Sequence, residues 1–245
     1  MRATWKRGFS DAVRDFWKRD TEAGAQRRGR DQGRRTAVTG GKNLDPVRKF
    51  FAQLIVSEAG VSEDDVHLKE SRLSIPGYFR PNKKWDLVVV HRQHLLAALE
   101  LKSMLSSYGN NLNNRAEEAV GAGFDFKEAG NRGVLPVRPH PWLGFFFLMN
   151  SCEQSSRPIT RIDQPHFPVM ESFQGASYVD RASFLLERLV DSRLFSCCTL
   201  VLSSAKMGNM RIPYQSPYTT LGIEPFVASM LGTIRTNREV VDATL

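Results

Sequence analysis

Residues 85–102 read WDLVVVHRQHLLAALELK, two apolar runs parted by Arg92-Gln93 and edged by Asp86, Glu100 and Lys102. The first run, Trp85–His91, is rich in β-branched residues and reads as a strand. The second, His94–Lys102, tolerates a helix by propensity. Only two residues separate it from its neighbour, however, and that spacing favours a hairpin, although the turn contains neither Gly nor Asn. Side chains alternate faces along a strand. Asp86, Val88 and Val90 then share one face of the first strand, and Leu96, Ala98, Glu100 and Lys102 share one face of the second. A turn between His91 and His94 joins the far ends, so two carboxylates and an ammonium are expected at one lip of a sheet.

Those groups suit phosphodiester hydrolysis. Hard oxygen donors from Asp86 and Glu100, with the backbone carbonyl of Leu101, suit Mg²⁺. Such an ion lowers the pKa of a bound water and offsets charge developing on a scissile phosphate. Lys102 has three open roles: orienting the water, deprotonating it, or neutralising the phosphate. A bare Asp-x(13)-Glu-x-Lys spacing arises by chance in many chains. Its weight here comes from the flanking apolar runs and the hairpin between them.

Outward from the hairpin, Asp45-Pro46 opens a helix with an apolar stripe of Val47, Phe50, Phe51, Leu54 and Ile55, and Gly60 ends it. Glu58, at the edge of that stripe, is a candidate third acidic ligand. Asn110–Ala129 reads as a helix with small residues on one face, and Trp142–Met149 as a central strand covered on both sides. Ser177 and Asp180 form a capping box before a helix ending near Leu194; Cys197–Leu202 is another buried strand, and a last helix starts near Pro225. This order predicts an α/β fold, a mixed sheet between helical layers, spanning residues 45–245. Residues 1–44 are expected to form a basic helical arm and flexible linker, with Trp5, Phe9, Val13, Phe16 and Trp17 at helical spacing.

The formal net charge is +8 over 245 residues, and residues 1–50 alone account for it; the remainder is neutral. That asymmetry points to a polyanionic partner. Cys152, Cys197 and Cys198 have no CxxC spacing, which argues against a disulfide framework or zinc site and for a reducing cytoplasm. No apolar run reaches the roughly 20 residues of a membrane span, and no secretory signal is expected.

Asp86…Glu100-Leu101-Lys102 resembles the PD-(D/E)xK nuclease signature, with Trp85 where a proline commonly precedes the acidic residue. The whole 85–102 block, followed by NNLNNRAEEAVGAGFD at residues 110–125, resembles the XhoI family of type II restriction endonucleases. The resemblance implies a nuclease-like core and Mg²⁺-dependent cleavage of double-stranded DNA at the palindrome CTCGAG with 5′ overhangs. A palindromic target implies a homodimer.

Base reading calls for Arg, Asn or Gln on loops, so Asn209, Arg211 and Gln215 are candidates, as are Asn131, Arg132 and Arg138. Arg27, Arg28, Arg30, Arg34 and Arg35 are candidates for phosphate contact. His91 and His94 make an HxxH pair with no third ligand nearby, a poor zinc site. A repair or junction-resolving endonuclease with the same site, and a non-catalytic DNA-binding regulator, are the alternatives.

Overall fold

The computed structural model describes residues 4–28, 44–136 and 139–244. Two helices come first, α1 (Thr4–Arg28) and α2 (Asp45–Glu58). Five strands follow: β1 (Val66–His67), β2 (Ser74–Ile75), β3 (Lys83–Lys84), β4 (Leu87–His91) and β5 (His94–Met104). Then come α3 (Tyr108–Asn131), β6 (Trp142–Asn150), α4 (Tyr178–Asp191), β7 (Cys197–Ser203), β8 (Tyr214–Gln215) and α5 (Ile223–Ala243). The main sheet runs β1-β4-β5-β6-β7-β8, with β5, β6 and β7 parallel and the outer pairings antiparallel. It is a mixed six-stranded sheet between two helical layers, as the element order predicts.

The central strands explain the layering. Every residue of Trp142–Met149 is buried, because α1, α2 and α5 cover one face and α3 and α4 the other. The Ser177–Asp180 capping box is present: the Ser177 hydroxyl accepts from the Asp180 amide at 3.1 Å and donates to its carboxylate at 2.7 Å.

The amphipathic N-terminal helix, set apart as an arm by its charge, shares the core. Phe9, Val13 and Phe16 are fully buried, and Trp17 Nε1 donates to Ser203 Oγ at 2.8 Å. Each such burial stabilises by roughly 2 kcal/mol. The linker arginines Arg30, Arg34 and Arg35 lie outside the described residues; Arg27 and Arg28 close α1, and their side chains lie outside the description as well.

The β4–β5 hairpin turns through Arg92 (φ 45°) and Gln93 (φ 67°), two left-handed residues that match the right-handed strand twist. Non-glycine residues bear that conformation at a cost. Gln93→Gly is therefore expected to raise unfolding free energy by about 1 kcal/mol in a urea titration; a lower midpoint would contradict it.

One feature of this hairpin departs from the simple alternation. Val89 pairs with Ala97 but Val90 pairs with Leu95, so Leu96 is an extra residue in a β-bulge. Leu96 and Ala97 both face the α1/α2/α5 layer. Leu95, not Leu96, shares the face of Ala98, on the α3/α4 side. Continuing the pairs Val88–Ala98 and Leu87–Leu99 brings Asp86 opposite Glu100.

Candidate active site

β4 begins at Leu87, two residues later than the apolar run suggests, and Asp86 sits on a bend just before it. The Asp86 amide still donates to Leu99 O at 3.0 Å, and the Asp86 carboxylate takes over the next position: Oδ2 accepts from the Leu101 amide at 2.7 Å. A side chain thus stands where the strand has left off. Leu101 N–H lies on the side of β5 that β4 has vacated. Its carbonyl, which points the same way in a strand, opens on the same side.

Glu100, the residue before Leu101, is 5% exposed. Its Oε1 is 2.6 Å from Lys102 Nζ and its Oε2 is 2.7 Å from Lys83 Nζ. Glu118, on α3, is 3.6 Å from Lys102 and 2.9 Å from Arg115. Trp85 forms a buried floor against Phe126 and Phe195.

The charges at this lip are strongly coupled. Burial, and then the negative charge of Glu100, push Asp86 up to about 6, against the pull of the Leu101 amide and both lysines. Burial also works to raise Glu100, but Lys83 and Lys102 outweigh it and hold that carboxyl below its ordinary value. Lys102 is pressed down by burial and pulled up further by Glu100, so its ammonium is held charged. In this state Lys102 is a cation rather than a free base.

The donor set fits a hard cation of modest protein coordination. Asp86, Glu100 and the Leu101 carbonyl supply oxygens only, and Mg²⁺ commonly takes one or two carboxylates and keeps several waters. Among the described residues no three His, Cys, Asp or Glu side chains cluster as a metal site. Glu58 lies elsewhere: its carboxylate is 3.8 Å from Arg235 on α5, and its backbone carbonyl accepts from Arg235 Nε at 2.6 Å.

The HxxH histidines serve the fold. His91 lies between Asp65 (3.1 Å) and Asp242 (2.9 Å), and His94 contacts Arg92 O at 2.9 Å. Asn209, Arg211 and Gln215 are exposed around β8. Arg14 of α1 holds their loop, donating to the carbonyls of Gly208, Met210 and Arg211 at 3.0–3.1 Å. Asn131 and Arg132 are tied to Glu128, and Arg138 is outside the described residues.

Two residues of this lip, Lys83 and Glu118, lie outside the motif. Lys83 stands in a short strand pairing with β2, and Glu118 on a helix whose rotation is set by packing, so neither carries a spacing signal.

A family model described as "Restriction endonuclease XhoI" matches residues 24–213. The chain is 37% identical over 225 residues to the type II restriction enzyme BstVI of Geobacillus stearothermophilus, covering 89% of this chain and 99% of that one. It is 40% identical over 183 residues to the type II restriction enzyme XhoI of Xanthomonas vasicola, covering 73% and 72%. A third relative, the type II restriction enzyme AbrI of Azospirillum brasilense, is 36% identical over 170 residues, 67% of this chain and 75% of its own. No solved structure matches.

Proposed function

This chain belongs to the XhoI family of type II restriction endonucleases, and on that premise we propose that it hydrolyses double-stranded DNA at CTCGAG in a Mg²⁺-dependent reaction. The supporting observation is the convergence of Asp86, Glu100 and Lys102 at the open edge of β5. Residues 45–245 carry the chemistry in this reading, with residues 1–44 preceding it. Asp86, Glu100 and the Leu101 carbonyl would hold the ion, which would offset charge developing on the phosphate and acidify a nearby water. The Leu101 amide fixes the Asp86 carboxylate in its rotamer. Lys102, kept protonated by Glu100, places positive charge where the scissile phosphate gains negative charge.

A palindromic site matches a two-fold homodimer, in which each protomer cuts one strand. The loop bearing Asn209 and Arg211, braced by Arg14, is the proposed base-reading surface. The +8 charge of residues 1–50 favours approach to the phosphate backbone, and a cytoplasmic setting follows from that substrate. No helix among the described residues is long and apolar enough to cross a membrane.

Supercoiled plasmid with known CTCGAG sites, incubated with Mg²⁺ or EDTA, tests the reading. The expected result is discrete fragments with Mg²⁺, ends mapping to CTCGAG with 5′ overhangs, and intact plasmid with EDTA. Cleavage at another fixed sequence would overturn the site assignment, and structure-directed nicks would overturn the restriction reading.

A further inference from the structure

Lys83 stands outside the Asp…Glu-x-Lys pattern, yet it is the most enclosed cation at the site. Its side chain is 13% exposed, against 23% for Lys102. Its ammonium is 2.7 Å from Glu100 Oε2 and 4.3 Å from the centroid of the Trp85 ring. Each oxygen of Glu100 therefore already faces a positive charge, and the two carboxylates and two lysines sum to zero.

A divalent ion and an ammonium cannot share Glu100 Oε2 at hydrogen-bond range without strong repulsion. Lys102 has a second carboxylate at hand in Glu118, 3.6 Å away. The further contact of Lys83 is the weakly held carbonyl of Lys84 at 3.3 Å. Its backbone cannot easily retreat, because buried Asp125 grips the preceding loop through the amides of Tyr78 and Phe79 and through Arg80. Any relocation of the charge therefore falls to the side chain, by breaking the contact with Glu100.

We infer that Lys83 is a built-in cation that competes with the divalent ion for Glu100 and transfers to a DNA phosphate when the ion loads. The inference rests on the metal-nuclease reading of the same site. It makes metal and DNA binding mutually reinforcing: the phosphate accepts the displaced ammonium, and each ligand tightens the other by the same factor.

Mn²⁺ binding to the full-length, DNA-free protein, followed by calorimetry, tests this with Lys83→Met, which keeps an apolar stem over Trp85. The variant is expected to bind Mn²⁺ about tenfold more tightly than wild type. It should also reach half-maximal plasmid cleavage at lower Mg²⁺ while its maximal rate falls. Lys83→Arg, which keeps the charge, should stay close to wild type in Mn²⁺ affinity. Equal or weaker Mn²⁺ binding by a folded Lys83→Met, in a wild type that cleaves DNA, overturns the inference alone. A wild type that neither binds Mn²⁺ nor cleaves removes the metal-nuclease reading beneath it. Circular dichroism and melting curves report folding; should Lys83→Met not fold, Lys83→Gln carries the same comparison.

Discussion

Asp86→Asn is expected to lower DNA cleavage roughly a thousandfold or more while making the metal-free protein more stable at neutral pH. A metal ion bound at a scissile phosphate is worth several kcal/mol of transition-state stabilisation, and about 1.4 kcal/mol is a factor of ten. The stability gain has a separate origin. Asp86 is pushed from 3.8 to about 6 in the folded protein by burial and by the charge of Glu100. A carboxyl that holds its proton more tightly when folded contributes stability at low pH and loses it as pH rises through the folded value. Above about pH 6 the wild type therefore maintains a buried charge that the amide variant lacks, a difference of about 1–3 kcal/mol that shrinks to nothing below about pH 4. The Leu101 amide keeps an acceptor in either case. Urea titrations in EDTA across that pH range, beside plasmid digestion, check both halves. Wild-type cleavage, or a variant less stable than wild type at neutral pH, would refute the account. Such a pairing of lost activity with gained stability is what a destabilised functional site produces.

Asp125→Ala has the largest expected effect on the fold, a destabilisation of about 3 kcal/mol. Asp125 is 3% exposed and accepts from the Tyr78 and Phe79 amides at 2.8 Å each and from Arg80 Nε at 2.7 Å. Truncation strands all three donors. Burial alone would raise the Asp125 carboxyl, but those donors outweigh it and hold it below its ordinary value. Its contribution is thus present above the unfolded value and fades as pH falls through the folded one, so wild type and variant should converge in acid. The freed loop leads directly into Lys83, Trp85 and Asp86, and cleavage should drop at least about tenfold through mispositioning. Asp125→Asn, which can still accept from both amides but loses the charge facing Arg80, should fall between the two. A variant that melts with wild type would show that the loop is held by other contacts.

The hairpin was legible because β-branched residues crowd Trp85–His91 and only two residues intervene before the next run. The wholly apolar WLGFFFLM likewise announced a strand covered on both faces. The N-terminal helix was legible as amphipathic, whereas its docking was not. Helical spacing identifies an apolar stripe and says nothing of what covers it; the seat for Trp17 is assembled from Ser203 and the neighbouring strands.

The carboxylates of the candidate site illustrate the same division. Composition and alternation by themselves determined that Asp86 and Glu100 lie on the two arms of one hairpin, away from its turn, since those rules depend on adjacent residues alone; that β5 continues past Glu100 to Met104 they did not show. They could not determine that the two face each other. Counted regularly back from the His91–His94 pair, Asp86 would oppose Leu99 and Glu100 would point to the other side of the sheet. The extra residue at Leu96, accommodated because the α1/α2/α5 layer takes Leu96 and Ala97 together, shifts the register by one and sets the carboxylates opposite each other. Register is settled by which side chains two layers can bury at once, a property of the packed molecule that no local run of residues contains.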